Sequence, residues 1–175
     1  MTTILTKLFK VFLVVLILIT ILCFSAKFFN IHLNISSSLP YGAYYLQDKQ
    51  DNITKGDIIL FCLDEENSKL IKDANILAFG SCPYNLAPIG KKVIATSYDK
   101  VQIDDNYVAI NGNIENKSKR LKLKLKNYPK ATFNRALKKG EYIVLSNHED
   151  SFDSRYFGVV KIEQIKGILK PLITF

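Results

Sequence analysis

From Val11 to Ala26 the chain carries no charged residue, and Leu8, Phe9, Phe28 and Phe29 extend the apolar run beyond the flanking Lys10 and Lys27. A membrane-crossing helix needs roughly 20 such residues, and lysine side chains can reach back to the interface. A cleavable signal peptide is the rival reading. Cys23-Phe24-Ser25 is a poor small-x-small cleavage site, the bulky Leu22 before Cys23 argues against a lipoprotein site, and the run exceeds most signal-peptide cores. Residues 1–29 are therefore expected to remain as an anchor, with residues 30–175 as one compact domain. Lys7 and Lys10 favour an inside N-terminus, weakly opposed by Lys27, which places that domain outside the cytoplasm.

The compartment changes how the remaining composition reads. Cys62 and Cys82 meet oxidising conditions, so they are either a bridge or two buried thiols. A bridge closing about 20 residues would contribute roughly 3 kcal/mol. Cys23 reads as a small apolar residue of the anchor, and His32 and His148 are too far apart to suggest metal-ligand spacing. The net charge of +8 is concentrated between Lys117 and Lys139. There, Arg120-Leu-Lys-Leu-Lys-Leu-Lys126 alternates strictly, as a half-buried strand does. Lysines on such a strand guard an edge against pairing, or meet a membrane surface. Nucleic acid is not expected as a partner, because the domain is exported and no aromatics interleave the charges. Asn34, Asn52 and Asn116 open Asn-x-Ser/Thr triplets, which chance supplies in so Asn-rich a chain.

The apolar runs of the exported part are short, rich in Val, Ile, Tyr and Phe, and divided by Gly, Asn, Asp and Lys. Strands are expected at Ala43–Leu46, Asp57–Leu63, Lys92–Ala95, Lys100–Ile103, Tyr107–Ile110, Leu121–Leu125, Tyr142–Leu145 and Gly158–Ile162. Asn111-Gly112 signals a tight hairpin. A helix is expected only near Ser68–Leu77. The fold class is mainly β, preceded by one transmembrane helix.

Three stretches carry candidate chemistry. Ser36-Ser37-Ser38-Leu39-Pro40-Tyr41-Gly42 is a hydroxyl-bearing turn in which Pro40 fixes φ and keeps Leu39 extended. Such serines cap a turn, or one of them is a nucleophile. Gly90-Lys91-Lys92 leads into the apolar run Val93–Ala95, and neighbouring lysines on a strand point to opposite faces. Ser151-Phe152-Asp153-Ser154-Arg155 is polar and turn-like. A lysine, ordinarily protonated to about pH 10.4, serves as a base near neutrality only when burial destabilises its charge. An exported β-domain with this combination reads as a serine hydrolase whose base is lysine, oriented by a further hydroxyl.

In these stretches the chain resembles the type I signal peptidases, and within them the conjugative-transfer signal peptidases of the TraF type. The resemblance runs through the anchor, Ser36-x-Ser38-Leu39-Pro40-x-Gly42-x-Tyr44, Lys55-Gly56-Asp57-Ile58, Lys91-Lys92-Val93-Ile94, Val108-Ala109-Ile110-Asn111-Gly112 and Ser151-x-Asp153-Ser154-Arg155-x-Phe157-Gly158. It implies Ser38 as nucleophile, Lys91 as general base, and Ser151 as the hydroxyl orienting that base. Asp153 and Arg155 would form a bracing ion pair. The oxyanion hole would combine the Ser38 N–H with the Ser36 hydroxyl. Lys92 stands where the family usually has arginine, and Thr96-Ser97-Tyr98-Asp99 keeps only the aspartate of the family's Leu-Pro-Gly-Asp turn.

The resemblance implies a membrane-anchored endopeptidase in a bacterial inner membrane, its domain on the periplasmic side. It would cleave signal sequences of exported precursors such as a pilin, need no cofactor, and work as a monomer beside the lipid bilayer. Two other readings stand beside it: a catalytically inactive, tethered assembly protein of a pilus or secretion apparatus, and a binding module using the basic stretch Lys117–Lys139.

Overall fold

The computed structural model of the protein describes residues 2–49, 52–74, 76–119, 128, 131–148 and 151–175. The apolar run is helix α1 (Thr2–Phe28), whose Ile4–Ser25 stretch has a mean hydropathy of 2.8 and is buried nowhere against the rest of the chain. It is long and apolar enough to cross a membrane. Within it, the Thr20 and Ser25 hydroxyls donate to the carbonyls of Leu16 and Ile21, so these polar groups need no water. Asn30, at φ 52°, ends the helix in the left-handed conformation that asparagine tolerates and delivers the chain into strand β1 (Ile31–Asn34).

The following elements are β2 (Gly42–Asp48), β3 (Ile58–Phe61), α2 (Glu65–Ile71), β4 (Phe79–Cys82), β5 (Ile89–Ala95), β6 (Lys100–Ile103) and β7 (Val108–Ile110). Then come β8 (Asn113–Ile114), β9 (Phe133–Ala136), β10 (Glu141–Leu145), α3 (Ser154–Phe157), β11 (Val160–Lys161) and β12 (Ile165–Thr174). Among the described residues, seven strands form one sheet in the order β1-β2-β12-β3-β5-β10-β11, and four form a second in the order β8-β7-β6-β9. Every pairing is antiparallel. The fold is mainly β, as the short alternating runs require.

Most expected strands are present with edges moved by one to three residues, the largest shift being β5, which begins at Ile89 rather than Lys92 and so takes in Lys91. Asn111 (φ 52°) and Gly112 (φ 87°) make the hairpin between β7 and β8, both in the positive-φ region a tight primed turn demands. The expected strand Gly158–Ile162 shortens to β11, because Ile162–Gln164 winds into a single 3-10 turn. The helix near Ser68–Leu77 lies earlier. The Asp64 carboxylate accepts from the Asn67 N–H and caps α2 from its N-terminal side, with Glu65 and Glu66 in the first turn. The expected strand Leu121–Leu125 and the alternating Arg120–Lys126 lie outside the described residues.

Three cores hold the domain. The largest packs Ile59, Phe61, Ile71, Val93, Val144 and Phe157 around the centre of the large sheet. A second joins the small sheet to it through Val101, Val108, Leu137 and Ile143. The third is small and lies under the serine turn: Leu39, Tyr44, Leu60 and Leu169. Cys62 and Cys82 are bridged, with Cα atoms 5.5 Å apart. The bridge ties the residue after β3 to the end of β4, and so fastens the segment that enters β5.

Candidate active site

The site is assembled from three elements that the chain visits far apart. The first is the turn between β1 and β2. The Asn34 side chain is its hub: Nδ2 donates to the carbonyls of Ser36, Leu39 and Pro40, while Oδ1 accepts from the Ser36 N–H and hydroxyl. The Tyr44 hydroxyl also donates to the Pro40 carbonyl. Leu39 fixes the turn from below. It drops into the third core against Gly90, where a Cβ would come within 3.0 Å of the Leu39 side chain, tighter than most real contacts. Glycine before the lysine pair therefore lets the turn sit directly on β5.

The second element is β5. Lys91 lies on its buried face and is 2% exposed, while Lys92 points outward. Opposite Lys91 across the sheet is Ile59, fully buried, and Val93 follows on the same face. In this apolar setting the Lys91 Nζ reaches 2.5 Å from the Ser38 Oγ and 2.5 Å from the Ser151 Oγ. The two hydroxyls are 3.3 Å apart. Burial pulls the Lys91 ammonium down from an ordinary 10.5 to about 8, opposed by the Asp153 carboxylate and assisted by the Arg155 guanidinium.

The third element is the segment Ser151–Gly158, buried at every residue. The Asp153 carboxylate caps α3 by accepting from the Arg155 N–H and is gripped at both oxygens by the Arg155 Nε and Nη2, each at 2.8 Å. Arg155 also donates to the carbonyls of His148, Ser151 and Lys117. A fully buried guanidinium with carboxylate and carbonyl partners satisfies its donors in a fixed fork, which is what burying this charge requires.

All six residues singled out in the sequence lie in or against this one site. Ser38, Lys91 and Ser151 converge, and Asp153 and Arg155 pair behind them. Ser36 lies on the same turn with its hydroxyl donated to Asn34 at 2.7 Å. Among the described residues the Ser38 backbone N–H has no acceptor. Sequence reasoning passed over Asn34, reading it only as a chance Asn-x-Ser triplet, and it passed over Ser146. The Ser146 hydroxyl donates to the Ser38 carbonyl at 2.8 Å, and its N–H donates to Asp153 Oδ2 at 3.0 Å. Ser146 thus links the serine turn to the ion pair. An Asn four residues before the serine, with three backbone carbonyls to gather, was the signal available for the first; nothing local marked the second.

A cavity of about 530 Å³ opens beside Ser38 and Lys91, with Leu39, Ile76, Leu77 and Ile89 among its walls and His32 and His148 at its lining. Among the described residues no group of three His, Cys, Asp or Glu side chains could hold a metal ion.

A mainly β domain on a single apolar N-terminal helix, with a serine hydroxyl against a buried lysine amine, has the make-up of a membrane-anchored peptidase. The chain belongs to the signal peptidase family, peptidase S26, whose model matches residues 4–173. It is 29% identical over 147 residues to the plasmid transfer protein TraF of Escherichia coli, covering 81% of this chain and 82% of that protein. It is 27% identical over 146 residues to the conjugal transfer protein TraF of Agrobacterium fabrum, covering 81% of each. A crystal structure of a signal peptidase I from Enterococcus faecalis is 26% identical, at a TM-score of 0.39, covering 68% of this chain and 97% of that one.

Proposed function

We propose that the protein is a serine endopeptidase that removes signal sequences from exported precursors, with Ser38 as nucleophile and Lys91 as general base. The observation that carries this reading is the buried Lys91 amine held at 2.5 Å from both the Ser38 and Ser151 hydroxyls. With the ammonium at about 8, roughly a tenth of Lys91 is neutral at pH 7, enough to act as base without a histidine.

In the proposed reaction the neutral Lys91 amine takes the Ser38 proton as Oγ attacks the scissile carbonyl. The oxyanion is received by the unpartnered Ser38 N–H, joined by the Ser36 hydroxyl once it releases Asn34. Lys91 then returns the proton to the leaving amine, leaving an ester on Ser38. A water molecule, deprotonated by the same amine, hydrolyses the ester and restores both groups. Ser151 holds the amine in line, and Asp153 with Arg155 holds Ser151.

The family and the TraF relatives support a substrate class: a pilin or another component of a conjugative or secretion apparatus. The helix α1 would hold the domain as a monomer on the periplasmic face of the inner membrane, where precursors present their cleavage sites. Co-expression with a candidate precursor tests this. Wild type is expected to shorten the precursor, and Ser38→Ala and Lys91→Ala to leave it intact. Shortening by all three would overturn the mechanism and favour a tethered assembly protein.

A further inference from the structure

A second cavity, of about 610 Å³, opens on the other side of the nucleophile. Ser37, Ser38 and Leu39 line both cavities. The two differ in their lysine, because adjacent residues of β5 face opposite ways: Lys91 lines the first and Lys92 the second. The floor of the second includes Ile58, paired with Lys92 across the sheet, and its rim includes Asn147. Among the described residues Lys92 has no ion-pair partner.

An extended peptide advances about 3.3 Å per residue, so a chain attacked at one carbonyl by Ser38 runs on into the space on either side. The first cavity, walled by Ile76, Leu77 and Ile89, suits the small apolar side chains preceding the bond in a signal sequence. That leaves the second cavity for the mature side of the substrate. We propose that the Lys92 cavity receives the residues after the scissile bond and that Lys92 selects an acidic side chain among them. This rests on the peptidase reading above. An unpaired ammonium beside an apolar floor attracts a carboxylate more strongly than one in open water, and the Asn147 amide can donate to the same oxygens.

The test uses the purified full-length chain in detergent and peptides spanning the cleavage site of a processed precursor. The residues before the bond stay constant, and Asp, Ala or Lys is placed in turn at the first three positions after it. At one of these positions kcat/KM for Asp is expected to exceed that for Lys by about fivefold at low salt. The difference is expected to fade near about 1 M salt. Lys92→Glu is expected to reverse the order, with rates taken relative to the Ala peptide so that a general loss of activity cancels. An unchanged order in Lys92→Glu would overturn the proposal, as would a charge preference confined to positions before the bond. Failure of wild type to cleave any of the peptides would overturn the peptidase reading itself.

Discussion

The serine turn and the buried segment behind Lys91 differ in almost every physical respect. From Ile35 to Tyr41 only Leu39 is buried, and the turn keeps its shape chiefly through one side-chain amide, that of Asn34. From Ser151 to Gly158 everything is buried, and a charged pair at 1% and 0% exposure forms the centre. Ser38 thus sits where a substrate can arrive, and Lys91 sits where its charge is discouraged. Ser146 joins the two halves with one hydroxyl and one N–H.

Damage to the two halves should therefore differ in kind. Arg155→Ala removes the guanidinium that grips both Asp153 oxygens inside the protein, and is expected to cost about 3–5 kcal/mol in urea unfolding. A loss below about 1 kcal/mol would show that the buried half is not the rigid one. Reducing the bridge, or Cys62→Ser with Cys82→Ser, frees the segment leading into β5 and is expected to cost about 3 kcal/mol by the same measurement.

Lys91→Met acts in the opposite direction. The drop of the ammonium from 10.5 to about 8 corresponds to roughly 3 kcal/mol at full extent. Because the folded value is the lower one, the unfolded chain binds more protons between about pH 8 and 10.5, and wild-type stability rises with pH across that window. The variant is expected to be more stable than wild type at pH 7 by about 1–3 kcal/mol, and to lose this rise. A thermal melt series at pH 7 to 10 reads both. Asn34→Ala should have the smallest effect on stability, about 1 kcal/mol, yet lower kcat at least about tenfold with KM little changed. Equal losses of stability and activity would mean that the turn is part of the core after all.

The mainly β class and most of the strands were legible in the sequence, and one central strand was not. Ser38, Lys91, Ser151, Asp153 and Arg155 stood in recognisable local patterns, and Lys91 was preferred to Lys92 by the resemblance, strand alternation saying only that the two face opposite ways. The long strand β12 was invisible, although it lies between β2 and β3 near the centre of the large sheet. Lys166, Gly167 and Lys170 break its apolar run, and Pro171, which cannot donate, is tolerated only because the pairing with β2 shifts register beside it. Helix α2 begins earlier than its apolar residues suggest, because the Asp64 cap rather than hydrophobic spacing sets its start. Ser146 and the Asn34 hub were hidden for other reasons. Ser146 meets the Ser38 carbonyl and the Asp153 carboxylate only through the fold, which no local pattern announces. Asn34 instead gathers carbonyls within six residues of itself, and in the sequence it reads only as a chance triplet.

The central claim is that a buried lysine, rather than a histidine, is the base for Ser38. The most direct test is the pH dependence of kcat/KM for precursor cleavage by the purified full-length chain. Activity is expected to rise with pH through a single midpoint at about 8 and stay flat above it, with none detectable in Lys91→Ala at any pH. A midpoint near about 6.5, in the imidazole range, would contradict the claim and move attention to His32 and His148 at the cavity lining. So would a Lys91→Ala profile that keeps the wild-type shape.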